Sequence, residues 1–251
     1  DPHEPWDAPK RFQKMYREDY GFERFLFGYG VQRWGVKKED RPDFTPHLPV
    51  IRDLYAAEVS YVDHCVGRLI ESMERMKLLD DTIVVFTTDH GTHLGELGYV
   101  QKQAALLNSL VMQLPLLIRH PDRATAGKRV AELVSAIDFA PTFCHMLGVD
   151  DQEQMDGQDM WSLVTGESDK LQDRVFTQFG SFASVRDKKW HYFQHIYGKN
   201  RGAGPCLYDL EQDPQQTKNV IEAQANVAAD LRSLLADRLR QELPEVVPAA
   251  T

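Results

Sequence analysis

Thr82-Ile83-Val84-Val85-Phe86-Thr87-Thr88 is a short unbroken apolar run rich in β-branched residues, and it delivers Asp89-His90-Gly91 to its carboxyl end. That composition fits a strand covered on both faces, as in a parallel sheet flanked by helices. Upstream, Ile51, Leu54, Tyr55, Val59, Val62, Val66, Leu69, Ile70, Met73 and Met76 recur at helical spacing. They predict one long amphipathic helix over 50–77, closed by the turn Leu79-Asp80-Asp81. Downstream, a polar, glycine-containing stretch leads to a second run, Leu114-Pro115-Leu116-Leu117-Ile118-Arg119. Helix, strand, loop, strand is the rhythm of an α/β domain.

Further out, Val134-Ser135-Ala136-Ile137-Asp138 leads into a helix over 139–147, ended by Gly148 in the usual stop position. Beyond Gly166 the pattern changes to short strand-like pieces at 175–179, 183–186, 190–195 and 206–210. Turn-rich links such as Arg186-Asp187-Lys188-Lys189 and Gly198-Lys199-Asn200-Arg201-Gly202 join them, which predicts a small antiparallel sheet. A last amphipathic helix, over 224–243, carries Val227, Leu231, Leu234, Leu235 and Leu239 on one face. The expected division is therefore 1–165, an α/β part, and 166–251, a smaller α+β subdomain. Residues 1–49 mix Pro, Gly, aromatics and charges without a period. They read as a long ordered loop region with short helical turns, usually functional or an incomplete piece of something larger. The opening Asp1-Pro2-His3-Glu4-Pro5-Trp6 reads as though cut into a longer protein.

Composition sets limits on partners. The chain has 251 residues, 42% of them hydrophobic, and 29 basic against 38 acidic side chains give a net charge of −9. That suits one globular domain, or one and a half, and excludes disorder, collagen and repeat arrays. No apolar stretch approaches the roughly 20 residues of a membrane helix. The acidic balance argues against a nucleic-acid partner, which would need a basic face, but leaves room for a local basic pocket that takes an anionic small molecule. Cys65, Cys144 and Cys206 are too few and scattered for a disulfide framework or zinc cluster. Cys65 and Cys144, on apolar helical stretches, are expected to be small buried hydrophobes.

The chemistry is expected where the first strand ends, because ligands gather at the carboxyl ends of strands in open α/β sheets. A carboxylate beside an imidazole, followed by a glycine that lets the backbone turn, is what a metal-ligand pair on such a corner requires. An N-capping Asp and a surface His would look the same in isolation. The next residues, Thr92-His93-Leu94-Gly95-Glu96-Leu97-Gly98-Tyr99-Val100-Gln101-Lys102, form a glycine-containing loop whose lysine could fold back over the site. There it would clamp an anionic phosphoryl or sulfuryl group.

Thr88-Asp89-His90-Gly91, Leu94-Gly95-Glu96, Gly98 and Lys102 resemble a segment of the sulfatase family. The resemblance extends to Tyr61-Val62-Asp63 and Val66-Gly67-Arg68-Leu69, then Pro115-Leu116, Gly127-Lys128-Arg129-Val130, Asp138, Pro141-Thr142 and Asp156-Gly157. It ends with Leu207-Tyr208-Asp209-Leu210, Asp213-Pro214 and Asn219. Asp1-Pro2-His3-Glu4-Pro5 resembles the family's His-x-Pro segment. The resemblance implies part of an alkaline-phosphatase-like α/β sandwich with a small C-terminal antiparallel sheet plus helix. The activity implied is hydrolysis of sulfate esters, with a sulfated carbohydrate as the expected substrate, by a metal-bound formylglycine. In that scheme Asp89 and His90 are metal ligands. Lys102 contacts the sulfate and bridging oxygen, and His3 binds sulfate or protonates the leaving alcohol. Calcium is the first choice of metal, although a histidine ligand suits Mn²⁺ or Zn²⁺ better. His93 is a candidate substrate contact, and Arg33, Trp34, His47 and Gln101 could line the same subsite. His64, His120, His145, His191 and His195 are assigned to packing. By family resemblance the compartment is periplasmic, secreted or lysosomal.

One departure from the family is severe. No Cys/Ser-x-Pro-x-Arg motif occurs in the chain, and the family's N-terminal Asp-Asp ligand pair is missing; the family carries both upstream of the position of His3. The chain is therefore expected to be a C-terminal fragment, inactive alone. The alternatives are a phosphonate monoester or phosphodiester hydrolase of the same superfamily, using Mn²⁺ or Zn²⁺, and a non-catalytic domain that kept the fold.

Overall fold

The computed structural model describes residues 2–18, 45–102, 107–149, 155–197 and 204–242. Outside them lie Arg33 and Trp34 with much of the expected N-terminal loop, the expected link from Gly198 to Gly202, and Leu243 at the expected end of the last helix. The chain divides into two units, Asp1–Asp122 and Arg123–Thr251. No helix of the described residues is long and apolar enough to cross a membrane.

In the first unit, a one-turn helix, α1 (Lys10–Gln13), precedes the predicted long helix, which is observed as α2 (Leu48–Arg75). Pro49 sits in the first turn of α2, where a missing amide costs no intrahelical bond. The chain leaves the helix where Lys77 turns left-handed at φ 58°. Ile51 and Leu54, on one face, form a core with Trp6 and Val100, and Leu48 and Leu94 pack against it. Each such side chain contributes about 1.5–3 kcal/mol by leaving water. Next along the helix, Ala57 packs with Ala8 and Phe12, whose ring lies 5.2 Å from that of Tyr61. Leu69 in the C-terminal half of α2, and Met76 just past its end, are exposed. Cys65 is exposed there too, and Cys144 is only half-buried, against the expectation of burial. Periodicity identifies an apolar stripe but not how far along it another element lies.

The β-branched run forms β1 (Val84–Phe86), paired antiparallel with β4 (Leu117–Arg119) in the register Val84↔Arg119, Val85↔Ile118, Phe86↔Leu117. The expected parallel neighbours and two covered faces are not found among the described residues: Phe86 is 41% and Leu117 60% exposed. Composition announces a strand without specifying the direction of its partner. Between these strands, the expected loop is a tight hairpin of β2 (His93–Leu94) and β3 (Val100–Gln101), with His93↔Gln101 and Leu94↔Val100. Gly95, at φ 109°, makes the turn. Its amide donates to Tyr99 O at 2.8 Å, and the Glu96 carboxylate accepts from the Leu94 amide at 2.5 Å. A short helix, α3 (Ser109–Met112), leads back to β4.

The second unit opens with a turn, Ala136–Asp138, and α4 (Phe139–Met146). Asp138, 1% exposed, organises this region. Its carboxylate accepts from the amides of Ser135 (2.7 Å) and Gln158 (2.9 Å) and from the Gln172 side chain (3.2 Å). A short helix, α5 (Trp161–Thr165), precedes a four-stranded antiparallel sheet: β5 (Val175–Phe179), β6 (Phe182–Arg186), β7 (Trp190–His195) and β8 (Cys206–Asp209) in sequential order. Its alternation places Ala183, Val185, Tyr192 and Leu207 on one face, where they pack with Ala228, Leu231, Leu235 and Leu239 of α6 (Ala225–Glu242). The expected small sheet plus helix is what forms.

Candidate active site

The core on α2 explains how residues far apart in sequence meet. Trp6 fixes the segment that carries His3, Val100 fixes the one that carries Lys102, and both rest on Ile51 and Leu54. His3 Nε2 and Lys102 Nζ lie 3.0 Å apart, 99 residues distant in sequence. An ammonium can only donate, so His3 Nε2 is the acceptor. Nδ1 is the protonated nitrogen, because it lies 2.6 Å from the carbonyl oxygen of Glu4, which can only accept. The His3 side chain is 58% exposed, so this pair opens to solvent.

The second pair stands at the carboxyl end of β1. Asp89 Oδ1 accepts from the His90 amide (2.9 Å) and the Thr88 hydroxyl (3.3 Å). Desolvation, the largest single influence, pushes the Asp89 carboxyl up. The His90 ring, the amides of His90 and Asp89 and the Thr88 hydroxyl together outweigh it and hold the group below the ordinary carboxylate value. His90 Nδ1 donates to Gly91 O at 2.9 Å, so in the neutral ring Nε2 carries the lone pair. That lone pair lies 3.5 Å from Asp89 Oδ2. Two acceptor atoms at this separation, with the far ring nitrogen tied to a backbone carbonyl, are the arrangement of a carboxylate and a histidine sharing one cation. The residues present therefore fit a divalent metal, with Oδ2 and Nε2 as donors. Among the described residues, no group of three or more His, Cys, Asp and Glu could enclose one.

Gly91 is needed for a reason other than the expected sharp turn. Its φ is not positive. Its amide donates to Val111 O at 2.8 Å, and a Cβ there would lie 1.9 Å from Leu110 O. The absent side chain allows α3 to approach the Asp89-His90 corner.

His93 and Gln101 do not line a surface. They are 0% and 6% exposed, paired across the hairpin, with His93 Nδ1 donating to Gln101 O at 3.0 Å. Burial holds the His93 ring below its ordinary value, partly offset by the Gln101 carbonyl, the Glu96 charge and the Asn108 side chain. Its Nε2 is buried without a hydrogen-bond partner among the described residues, as are both polar atoms of the Asn108 side chain. Continuing the hairpin register by one residue sets Lys102 opposite Thr92, two residues from His90. His47 lies half-buried in the turn that enters α2.

Of the histidines assigned to packing, His191 is buried against Gln216 and His195 stands edge-on to Phe182. His120 is half-buried, whereas His64 and His145 are exposed and meet Arg11 and Asp159. The parts that sequence reasoning missed are the hydroxyl of Thr88 and the side chain of Asn108. Thr88 adjoins Asp89 and could have been suggested as its partner. Asn108 stands with Ser109 between Leu107 and Leu110, and nothing in its neighbours marks it.

The family model described as Sulfatase matches residues 1–149, and that for the C-terminal region of N-sulphoglucosamine sulphohydrolase matches residues 95–244. An N-acetylglucosamine-6-O-sulfatase of Bacteroides thetaiotaomicron is 28% identical over 198 residues, 74% of this chain and 35% of that protein. A choline-sulfatase of Rhizobium meliloti is 27% identical over 244 residues, 88% of this chain and 44% of that protein. The chain thus spans less than half the length of these two relatives. Among solved structures, the phosphonate monoester hydrolase of Agrobacterium radiobacter superposes with a TM-score of 0.75 at 24% identity, over 96% of this chain and 55% of that one. That likeness establishes the alkaline-phosphatase-like fold.

Proposed function

The chain belongs to the sulfatase family, and from that premise we propose that the full-length protein hydrolyses sulfate esters of a sulfated carbohydrate, with this chain supplying half of the site. The observation that carries the reading is the His3–Lys102 contact of 3.0 Å, which joins a fixed positive charge to a proton-carrying ring at one solvent-open position. The N-acetylglucosamine-6-O-sulfatase relative supports a sugar as the alcohol. The division expected from sequence, 1–165 in the catalytic domain and 166–251 in the C-terminal subdomain, belongs to the same proposal.

In this mechanism Lys102 directs its ammonium at the sulfuryl oxygens, where negative charge gathers as the S–O bond lengthens. His3 presents Nε2 to the leaving oxygen, its ring oriented by the Nδ1 bond to the Glu4 carbonyl. A proton taken up by Nε2 from solvent passes to the departing alkoxide, while the Lys102 ammonium keeps its charge. Asp89 and His90 would hold the divalent cation, which we take to be calcium. When bound, the ion offsets charge on the sulfuryl oxygens and supports the formylglycine nucleophile that the family resemblance implies. A phosphonate monoester or phosphodiester is the alternative substrate class. The imidazole donor of His90 favours it through Mn²⁺ or Zn²⁺, and the phosphonate hydrolase shares the fold.

The test compares leaving groups. Protonation matters most for a poor leaving group such as a sugar hydroxyl, so His3→Ala should slow a sugar sulfate by on the order of a hundredfold or more, and an aryl sulfate much less. Lys102→Ala removes charge that holds the sulfuryl group whatever the alcohol, and should depress both substrates similarly. Equal losses for His3→Ala on both esters would assign His3 to sulfate binding instead of proton transfer. Faster turnover of a phosphonate monoester than of either sulfate would favour the alternative.

A further inference from the structure

We propose that His93 is a positioning residue for Lys102: its Nδ1–H bond to the Gln101 carbonyl holds the backbone immediately before Lys102 in a left-handed turn, and that turn aims the ammonium at His3. The inference rests on the reading above, in which Lys102 binds the sulfuryl group.

Gln101 adopts φ 68°, a conformation uncommon for a residue with a side chain and kept only where its surroundings hold it. The peptide between Gln101 and Lys102 links that turn to the lysine, so the orientation of its carbonyl also sets the direction in which the Lys102 side chain leaves the backbone. The carbonyl oxygen is 3.0 Å from His93 Nδ1. His93 and Gln101 are 0% and 6% exposed, so water has no access to replace the bond. The donor is a planar ring held in β2, part of the same hairpin, and Gly95 closes that hairpin without strain. Burial holds the ring below its ordinary value, and the Gln101 carbonyl, which can only accept, makes Nδ1 the donor. At the far end of the linkage, Lys102 Nζ meets His3 Nε2 at 3.0 Å. His93 thus touches neither ester nor cation in this arrangement and acts through the backbone of its hairpin partner.

The experiment uses the full-length protein with four variants. His93→Leu keeps apolar bulk and removes the donor, and His93→Asn places an amide N–H where Nδ1 stood. Lys102→Ala and the double variant His93→Leu/Lys102→Ala complete a cycle. kcat/KM is measured on a sugar sulfate and an aryl sulfate, with metal content and Tm recorded for each. His93→Leu should lower both rates by on the order of ten- to a hundredfold, the range expected when a positioned group moves. His93→Asn should recover most of that loss. On the Lys102→Ala background, His93→Leu should cost less than about twofold, because the group through which it acts is gone. A full additional loss there, or an Asn variant as poor as Leu, would overturn the proposal. If Lys102→Ala alone left both rates intact, the reading of Lys102 would fail, and His93 would be judged by a crystal structure of His93→Leu. Gln101 leaving the left-handed region, with Lys102 parted from His3, supports the linkage; an unchanged turn and contact refutes it. Should His93→Leu fail to fold, His93→Gln, whose amide projects further than the Nδ1 position, replaces it in every comparison with Asn.

Discussion

The Asp89 carboxylate gives one oxygen to the His90 amide and the Thr88 hydroxyl, which leaves Oδ2 facing His90 Nε2 at 3.5 Å. In the full-length protein, Asp89→Ala should therefore reduce bound divalent metal and turnover together. The loss should exceed the roughly 10- to 100-fold that follows removal of a ligand's outer partner. Asn keeps the shape without the charge and should retain part of the metal; atomic emission on purified variants decides, and intact stoichiometry in Asp89→Ala would remove the ligand assignment. Two residues on, Gly91→Ala puts a methyl 1.9 Å from Leu110 O and disturbs the amide bond to Val111. We expect destabilisation of about 1–3 kcal/mol, read as a lower Tm, together with weaker metal binding as His90 shifts. An unchanged Tm would mean that α3 yields freely. Motif reading identified both residues, but its reason for Gly91 was conformational freedom. The structure supplies a different one, close approach, because a steric neighbour distant in sequence has no signature in the tripeptide.

The four-stranded sheet carries a test of its own. His191 on β7 is buried with Gln216 Nε2 donating to its Nδ1 at 2.6 Å. Burial foremost, and the nearby Arg186 charge, push its pKa from 6.5 to about 3, against the opposing Gln216 bond. The unfolded chain takes up this proton near pH 6.5 and the folded chain only near 3, so the unfolded state binds more protons between those values. Stability should accordingly fall as pH drops from about 6.5 towards 3, by up to about 1.4 kcal/mol per unit from this residue. His191→Gln removes the titration, and its urea midpoint should change less than that of the natural sequence between pH 7 and 5. Equal slopes for the two proteins would show that His191 is not the source. The alternation of β5 to β8 and the stripe on α6 were readable because each is a local period with its partner close along the chain. The antiparallel pairing of β1 with β4 was not, because the two strands are separated by the hairpin and α3, and a β-branched run has no preferred partner direction.

For the molecule as a whole, the two candidate metal donors found among the described residues cannot close a cation site. On the proposed reading, residues 1–251 expressed alone should bind divalent metal weakly and leave aryl and sugar sulfates intact, while a chain that also carries the family's nucleophile and acidic-pair segment should bind metal tightly and hydrolyse both esters. Calorimetric metal titration and ester hydrolysis on the two preparations test this; a fully active 251-residue chain would show that the donors and nucleophile lie within it. Two residues of the set resembling sulfatases, Asp138 and Asn219, hold backbone turns. Asp138 gathers three donors, and Asn219 Oδ1 accepts from the amides of Leu207 and Ile221 at 3.0 and 3.1 Å. What the sequence by itself determined was local or motif-borne: the long helix, the strand that ends in Asp89-His90, the C-terminal sheet and helix, and the family. The tertiary structure alone decided that His3 meets Lys102, since that contact depends on Trp6 and Val100 sharing one face of α2. It alone withdrew His93 and Gln101 from the surface. A polar residue in a glycine-containing loop looks solvent-exposed until the hairpin folds, and burial is a property of the neighbours that cover a residue.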